Sequence, residues 1–87
     1  MAAQYLTPMK KQQIDSIVNG LSIGLEISVP HMSGIMGETY VVGIDSGRNI
    51  AYGRYLGELA QKGLLREARK VYEEKGKTTK YVVWKRV

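Results

Sequence analysis

The last forty residues of the chain restrict its fold more than any other segment. Three apolar residues and a glycine follow one another at spacings of four, three and four, which is the repeat of one helix face. This repeat predicts a helix over residues 48–63 whose buried face carries Tyr52, Leu56 and Leu59. Gly63 stands where a helix ends, and the two leucines after it are expected to return to the core.

A basic β-hairpin is predicted after this helix, over residues 66–87. The strongest strand signal of the chain is Thr-Thr-Lys-Tyr-Val-Val-Trp-Lys, which is rich in β-branched and aromatic residues. We expect residues 78–86 to pair antiparallel with residues 68–73, with Gly76 in a short turn. Residues 68–73 also fit helical spacing, but the strong second strand needs a partner, so the hairpin is preferred.

Basic residues are concentrated in this predicted hairpin. The chain contains 13 Lys and Arg against 8 Asp and Glu, for a formal charge of +5. From residue 66 onward the acids are Glu67, Glu73 and Glu74, and the basic residues are Arg66, Arg69, Lys70, Lys75, Lys77, Lys80, Lys85 and Arg86. This balance favours an anionic partner, nucleic acid first and an acidic membrane or protein second. A solvated, charged hairpin is the simpler explanation of the same residues.

The N-terminal part predicts a flexible arm over residues 1–6 and a first helix over residues 7–20. Thr7 is a good N-cap, Pro8 suits the first helical position, and Asn-Gly ends the helix. The residues expected to face the core are Met9, Ile14, Ile17, Val18 and Leu21, and those expected to face water are Lys10, Lys11, Gln12 and Asp15.

A short strand is predicted next. Leu25, Ile27 and Val29 alternate with polar residues, and Pro30 is expected to end the strand.

The segment from residue 33 to 46 allows two interpretations. In the first, residues 35–42 form a helix that is capped by Ser33 and ended by Gly43. In the second, residues 40–44 form a strand, because Tyr-Val-Val-Gly-Ile is rich in β-forming residues. We favour the helix because of the resemblance described next.

The C-terminal half resembles a winged helix-turn-helix domain. Residues 52–65, Tyr-Gly-Arg-Tyr-Leu-Gly-Glu-Leu-Ala-Gln-Lys-Gly-Leu-Leu, resemble the family's recognition helix, which typically ends in Leu-x-x-Leu-x-x-x-Gly-Leu before the wing. Residues 80–84 resemble the returning strand of the wing. The resemblance implies one α+β domain over residues 1–87, with three helices and a C-terminal β-hairpin wing. One departure is the connection over residues 43–48, which is longer than the family's tight turn.

The resemblance implies sequence-specific binding of duplex DNA by a small transcriptional or replication regulator. The helix over residues 48–63 would enter the major groove, and the wing would lie on the backbone. Arg54 is the best candidate for reading a base, because a guanidinium can bond both O6 and N7 of guanine. The expected nucleic-acid-binding residues are Arg48, Asn49, Ile50, Ala51, Arg54, Tyr55, Gln61, Lys75, Lys77, Thr78 and Lys80.

Some of these residues also have a structural explanation. Arg54 is expected to pair with Glu58, four residues on, if it does not read a base. Asn49 is a candidate helix cap, and Tyr55 would pack against the first helix.

Gly53 and Gly57 are unusual inside a helix, where glycine lowers stability by up to ~1 kcal/mol relative to alanine. We favour tight packing of the second helix against them over close approach of a phosphate backbone. Trp84 is expected in the core.

Composition disfavours several other classes of protein. The absence of cysteine excludes a disulfide scaffold and a Cys-based zinc site. His31 is the only histidine, is expected in a loop, and has no evident carboxylate pair or phosphate-binding glycine motif beside it. We therefore expect no enzyme, no cofactor, no metal and no small-molecule substrate. No run approaches the ~18 apolar residues of a membrane helix, and the N-terminus lacks a signal-peptide core. We expect a cytoplasmic protein without a membrane partner, with nucleoid or nuclear association open.

Two other functions stay open on the sequence. One is a protein-interaction module on the same fold, acting as a subunit or an inhibitor. The other is an RNA-binding domain with an α-β-β-α-β-β plan, which requires a strand over residues 40–44. A second copy is a plausible partner in the DNA-binding case, because half-sites add affinity, and its interface would use Leu6, Met9 and the first helix.

Overall fold

The computed structural model describes residues 6–38, 47–72 and 79–87, which form a small α+β domain. These residues contain three helices and three strands, in the order α1 (Pro8–Asn19), β1 (Glu26–Ile27), α2 (Val29–Ile35), α3 (Gly47–Gln61), β2 (Leu65–Tyr72) and β3 (Thr79–Arg86). The strands form one antiparallel sheet in the order β1-β3-β2. The central strand β3 therefore joins the early strand β1 to the C-terminal hairpin.

The start of α1 follows the sequence prediction. The Thr7 side chain accepts a hydrogen bond from the Lys10 backbone N–H at 3.2 Å, and Pro8 occupies the first turn. Ile14 and Val18 are fully buried. Met9 was expected beside them but is 72% exposed, because five residues place it about 140° around the helix from Ile14. Leu6, expected in a flexible arm, packs against the core.

The predicted strand around residue 27 is shorter than expected. Its last residues belong to α2 instead, with Ser28 as the N-cap and Pro30 in the first turn. Proline ends a strand but also suits a helix start, since the first backbone N–H groups of a helix have no intrahelical partner. His31, expected in a loop, lies exposed on this helix.

The end of α2 corrects the preferred interpretation of the middle segment. Gly37 has a φ of +76°. Its N–H bonds the Gly34 carbonyl at 3.1 Å, and the Glu38 N–H bonds the Ser33 carbonyl at 2.8 Å. This pair of bonds ends a helix through a left-handed glycine. The predicted helix over residues 35–42 is therefore wrong over residues 36–38, and Ser33 lies buried within α2 rather than at its cap. The alternative strand over residues 40–44 lies outside the described residues.

The end of α3 repeats this arrangement. Gly63 has a φ of +86°, its N–H bonds the Ala60 carbonyl at 3.0 Å, and the Leu64 N–H bonds the Leu59 carbonyl at 3.0 Å. The prediction that Gly63 follows the helix end is confirmed. The predicted buried face is also confirmed: Tyr52, Leu56 and Leu59 are at most 2% exposed.

The predicted antiparallel hairpin is confirmed in the described residues. Strand β2 pairs with β3 along its length, from Leu65 opposite Arg86 to Tyr72 opposite Thr79. The first strand begins at Leu65, three residues before the predicted start. The turn with Gly76 lies outside the described residues.

A bulge in β2 decides which face of the sheet the residues after it occupy, from Arg69 to Val71. Glu67 pairs with Trp84 and Arg69 pairs with Val83, so Ala68 is an extra residue between them. Because successive strand residues point to opposite faces, the extra residue reverses the alternation along β2. We call the face that carries Trp84 toward α3 the front face, and the opposite face the back face.

The core lies between the three helices and the front face of the sheet. Trp84 was expected in the core, but it is partly exposed and packs against the core from outside. The buried residues of this core are Ile14, Val18, Ile27, Val29, Met32, Tyr52, Tyr55, Leu56, Leu59 and Leu65.

The two glycines inside α3 are not required by packing. A Cβ on Gly53 would meet a methyl of Val29 in α2 at 3.8 Å, and a Cβ on Gly57 would meet the Trp84 ring at 3.9 Å. Both are ordinary contact distances, so neither position requires glycine. Gly53 faces α2, but Gly57 faces β3, so the expected packing of the second helix against both glycines is wrong for Gly57.

Gly53→Ala and Gly57→Ala are each expected to stabilise the domain by about 0.5–1 kcal/mol, because alanine raises helix propensity. Urea denaturation of each variant measures this. Gly63→Ala is the control with the opposite sign, since its positive φ strains any side chain. Destabilisation by either helix variant would show that the local packing is tighter than these distances indicate.

Candidate functional site

The exposed face of α3 presents four side chains toward solvent. Ile50, Arg54 and Glu58 follow at intervals of four residues, so they form one ridge along the helix, which we call the α3 ridge. Ile50 is 50% exposed, which is high for an isoleucine, and Arg54 and Glu58 are exposed. Gln61 is exposed one turn further along. The ridge therefore combines an apolar, a cationic and an anionic group on one accessible surface.

The opposite face of α3 is fixed by a hydrogen bond from Tyr52. Its hydroxyl donates to the Glu38 carboxylate, at 2.9 Å from Oε1 and 3.2 Å from Oε2. The Lys10 ammonium of α1 also bonds Glu38 Oε2, at 2.8 Å. Glu38 reaches both groups because the chain turns at Gly37, directly before it. One carboxylate thus joins α1, the end of α2 and α3.

A second tyrosine fixes the same helix one turn later. The Tyr55 hydroxyl donates to Asp15 Oδ1 of α1 at 2.6 Å. The Lys11 ammonium lies 5.8 Å from the centroid of the Tyr55 ring, within the range of a cation–π contact. Tyr55 therefore packs against the first helix, which is the structural role that the sequence analysis gave as the alternative to DNA binding.

The ionisation of these groups reflects their burial and pairing. Burial, followed by the hydrogen bond to Glu38, raises the pKa of Tyr52 to about 12. Burial, followed by the hydrogen bond to Asp15, raises the pKa of Tyr55 to about 12. Burial alone would raise the pKa of the Glu38 carboxyl, but hydrogen bonds from Lys10 and Tyr52, with the charges of Lys10 and Arg48, lower it below 4.5. At neutral pH both phenols are donors and Glu38 is a charged acceptor.

An open groove of about 540 Å³ separates α3 from the hairpin. Arg54 and Glu58 line it on the helix side, and Glu67 lines it on the strand side. Trp84 and Gly57 lie between them, and the absence of a side chain at Gly57 leaves the Trp84 ring edge uncovered on that side. The α3 ridge and the front face of the hairpin thus meet in one continuous surface.

Two exposed lysines lie on the hairpin beyond this groove. Lys70 pairs with Val82, which has the same orientation as Trp84 two residues on, so Lys70 lies on the front face. Lys80 lies at a second bulge, because Tyr81 pairs with Val71 and Thr79 pairs with Tyr72, which leaves Lys80 as an extra residue. Lys70 and Arg54 therefore place positive charge on the side of the molecule that α3 presents, and Lys80 adds an exposed cation near the start of β3.

The back face carries a separate set of cations. Lys85 lies on it, between Glu26 of β1 and Arg66 of β2, and Arg66 also lines the groove beside α3. Arg69 bonds Glu26 across β3, with its Nη1 2.7 Å from Glu26 Oε2. Val83 is buried on this face, outside the main core. The bulge at Ala68 therefore divides the hairpin cations between two faces.

The structure sorts the predicted binding residues into four groups. Ile50, Arg54, Gln61 and Lys80 are exposed. Ala51 and Tyr55 are 2% and 6% exposed, so the helix turns both toward the core. Arg48 and Asn49 are half-buried and make contacts within the molecule. Asn49 is the third residue of α3, so it is not the cap. Lys75, Lys77 and Thr78 lie outside the described residues.

The expected ion pair between Arg54 and Glu58 does not form. Within the described residues, the salt bridges are Lys10–Glu38 and Arg69–Glu26. Arg54 and Glu58 stand four residues apart on the α3 ridge, with both charges facing solvent. Their hydrogen-bonding groups therefore remain accessible to a ligand.

The sequence prediction did not include Lys70 or Glu58 in the site. Simple alternation from the buried Leu65 would orient Lys70 to the back face, and the bulge at Ala68 reverses this. Glu58 was treated only as a partner of Arg54. Its position on the exposed helix face was readable from the helical repeat.

No family model, curated protein or solved structure matches the chain. Among the described helices, none combines the length and apolar character needed to cross a bilayer. The described residues also hold no group of three or more His, Cys, Asp or Glu arranged to bind a metal ion.

Glu38→Gln is expected to lower the free energy of unfolding by about 1–2 kcal/mol at pH 7, because an amide cannot serve Lys10 and Tyr52 as a charged acceptor. The pKa of Glu38 is lowered in the folded state, so its contribution is present above 4.5 and is lost as the pH falls through the folded pKa. The stability difference between wild type and variant should therefore persist from pH 7 to 4.5 and close below it. Urea denaturation at several pH values measures this, and a difference unaffected by acid would contradict the ion pair.

Proposed function

We propose that the chain is a small winged-helix domain that binds duplex DNA with sequence preference, as a transcriptional or replication regulator. Helix α3 would enter the major groove, and the hairpin would lie on the adjacent backbone. The observation that carries this proposal is the surface formed by the α3 ridge, the groove beside it and the exposed hairpin lysines Lys70 and Lys80.

The order of the elements supports the fold assignment. A short helix precedes α3, and a hairpin follows it directly after Gly63. This order is compatible with a winged helix. It differs from the α-β-β-α-β-β plan of the RNA-binding alternative, because α2 lies between β1 and α3.

The charge distribution supports an anionic ligand on the front side. Arg54 and Lys70 are exposed there, and Lys80 is exposed near the start of β3. Nucleic-acid phosphates bind such groups and release counterions, which makes the affinity depend strongly on salt. Glu58 and Glu67 oppose this attraction, so the affinity for random duplex is expected to be modest.

A self-association role for α1 has a specific observation in its favour. Met9 is 72% exposed on the surface of this helix. In a dimer this side chain would lie in the contact between copies, and two α3 helices would read two half-sites. The protein-interaction alternative uses the same groove with an acidic protein surface as the partner.

Lys70→Ala with Lys80→Ala is expected to weaken binding to every duplex by a similar factor. Loss of two phosphate contacts should flatten the slope of log affinity against log salt by ~1.8, since each contact contributes ~0.9. Fluorescence anisotropy with random-sequence duplex, titrated at several salt concentrations, measures the affinity and the slope.

A matched control removes two charges from the back face. The double variant Arg69→Ala with Lys85→Ala lowers the net charge equally and breaks the exposed Arg69–Glu26 ion pair, which should lower the stability by no more than about 1 kcal/mol. Its affinity and salt slope should stay close to those of wild type at physiological salt, where screening acts within about 8 Å. Equal effects of both pairs would mean that net charge alone drives binding, and absence of any salt-dependent binding would overturn the proposal.

Arg54→Ala tests the base-reading role. The side chain is exposed and unpaired within the described residues, so stability should change by less than ~0.5 kcal/mol. Binding to the preferred site should weaken by about 1–3 kcal/mol and binding to random DNA far less. The ratio of the two affinities is the measured quantity. An equal loss on both would identify Arg54 as a phosphate contact.

A further inference from the structure

The α3 ridge offers a different chemistry at each of its three positions. Ile50 presents a branched hydrocarbon that is 50% exposed at the first turns of the helix. Arg54 presents a guanidinium, and Glu58 a carboxylate, and no salt bridge joins the two. These groups correspond to three distinct features of the major groove.

The exposed side chain of Ile50 matches an apolar group in the major groove. Thymine carries a 5-methyl group there, and among the base edges it is the apolar feature that a side chain can cover. Covering one methyl group is worth about a fourfold change in affinity. A second exposed isoleucine, Ile35, is 53% exposed at the end of α2, off this ridge, and serves as a comparison.

Arg54 and Glu58 are complementary to a guanine and to a cytosine, respectively. The guanidinium donates to O6 and N7 of guanine, and the carboxylate accepts from N4 of cytosine. A carboxylate facing DNA is repelled by phosphate, so Glu58 is unfavourable on any sequence that gives it no such donor. Glu58 on the exposed ridge therefore increases the discrimination between DNA sequences and lowers the affinity for duplex DNA in general.

The spacing along the helix sets the spacing of the bases. Residues four apart on a helix rise by about 6 Å, and stacked base pairs are about 3.4 Å apart. Neighbouring members of the ridge thus face base pairs about two steps apart. Ile50 and Glu58 lie on opposite sides of the pair that Arg54 reads.

We propose that the α3 ridge selects duplexes in which a guanine is flanked, about two base pairs away on either side, by a thymine and by a cytosine. Ile50 covers the thymine methyl, Arg54 bonds the guanine and Glu58 accepts from the cytosine. This proposal rests on the proposed function, since it assigns the bases that the same helix reads.

The first experiment identifies the preferred duplex by selection from a random pool and then replaces each thymine in it by deoxyuridine, which lacks the methyl group. Wild type should lose about fourfold in affinity at one thymine. Ile50→Ala should bind the two duplexes equally. Ile35→Ala is the matched control, because it removes an isoleucine of similar exposure and should retain the preference for thymine.

The second experiment uses Glu58→Ala on the selected duplex, on one with the cytosine replaced, and on random duplex. Loss of the carboxylate should increase affinity for random duplex, because phosphate repulsion disappears, and should remove the preference for cytosine. Arg54→Ala should reduce the preference for guanine by about 5- to 150-fold. The opposite signs on random duplex separate the two roles.

The outcomes separate this inference from the proposed function. Salt-dependent duplex binding without discrimination between thymine and deoxyuridine at any position would overturn the role of Ile50 and leave duplex binding standing. Discrimination that persists in Ile50→Ala would assign the methyl contact to another residue and also overturn it. An unchanged cytosine preference in Glu58→Ala would overturn the role of Glu58. No salt-dependent binding of any duplex would overturn the proposed function itself.

Discussion

Two buried tyrosines on α3 place the strongest constraint on the rest of the structure. A buried hydroxyl without a hydrogen-bond partner is costly, so Tyr52 and Tyr55 must each reach an acceptor. Glu38 and Asp15 are those acceptors, and they lie on different elements. Because both bonds must form together, rotation of α3 about its axis would break at least one of them. The rotation of α3 about its axis also determines which of its residues face solvent. The two buried hydrogen bonds therefore determine that the α3 ridge is exposed.

Helix termination extends this constraint to the chain around α3. Gly37 and Gly63 both adopt left-handed conformations, and each directs the next residue back toward the body of the domain. After Gly37 that residue is Glu38, the acceptor of Tyr52. After Gly63 the chain passes through Leu64 into β2 and so determines where the hairpin leaves the core. The position of the candidate site thus depends on two glycines that take no part in it.

Parts of the architecture were predictable from local patterns, and others required tertiary contacts. The face of α3 with Tyr52 and Leu56, its stop at Gly63 and the hairpin pairing all follow from periodicity and turn chemistry. The middle of the chain did not, because Pro30 suits a strand end and a helix start equally well. The identity of the buried acceptors was also inaccessible, since no local pattern relates Glu38 to a tyrosine 14 residues later. For the site, sequence found the exposed arginine but missed the orientation of Lys70.

The extra residue at Ala68 has a consequence for how such a surface can change. If Ala68 itself paired with Val83, the strand would alternate without a bulge, and every side chain beyond it would move to the other side of the ribbon. Arg69 would then exchange sides with Lys70, although neither amino acid had been replaced. The total charge of the ribbon would be unaltered, while the charges on its two sides would be exchanged. In this domain, a one-residue change of pairing register is therefore a more radical alteration of the surface than most substitutions.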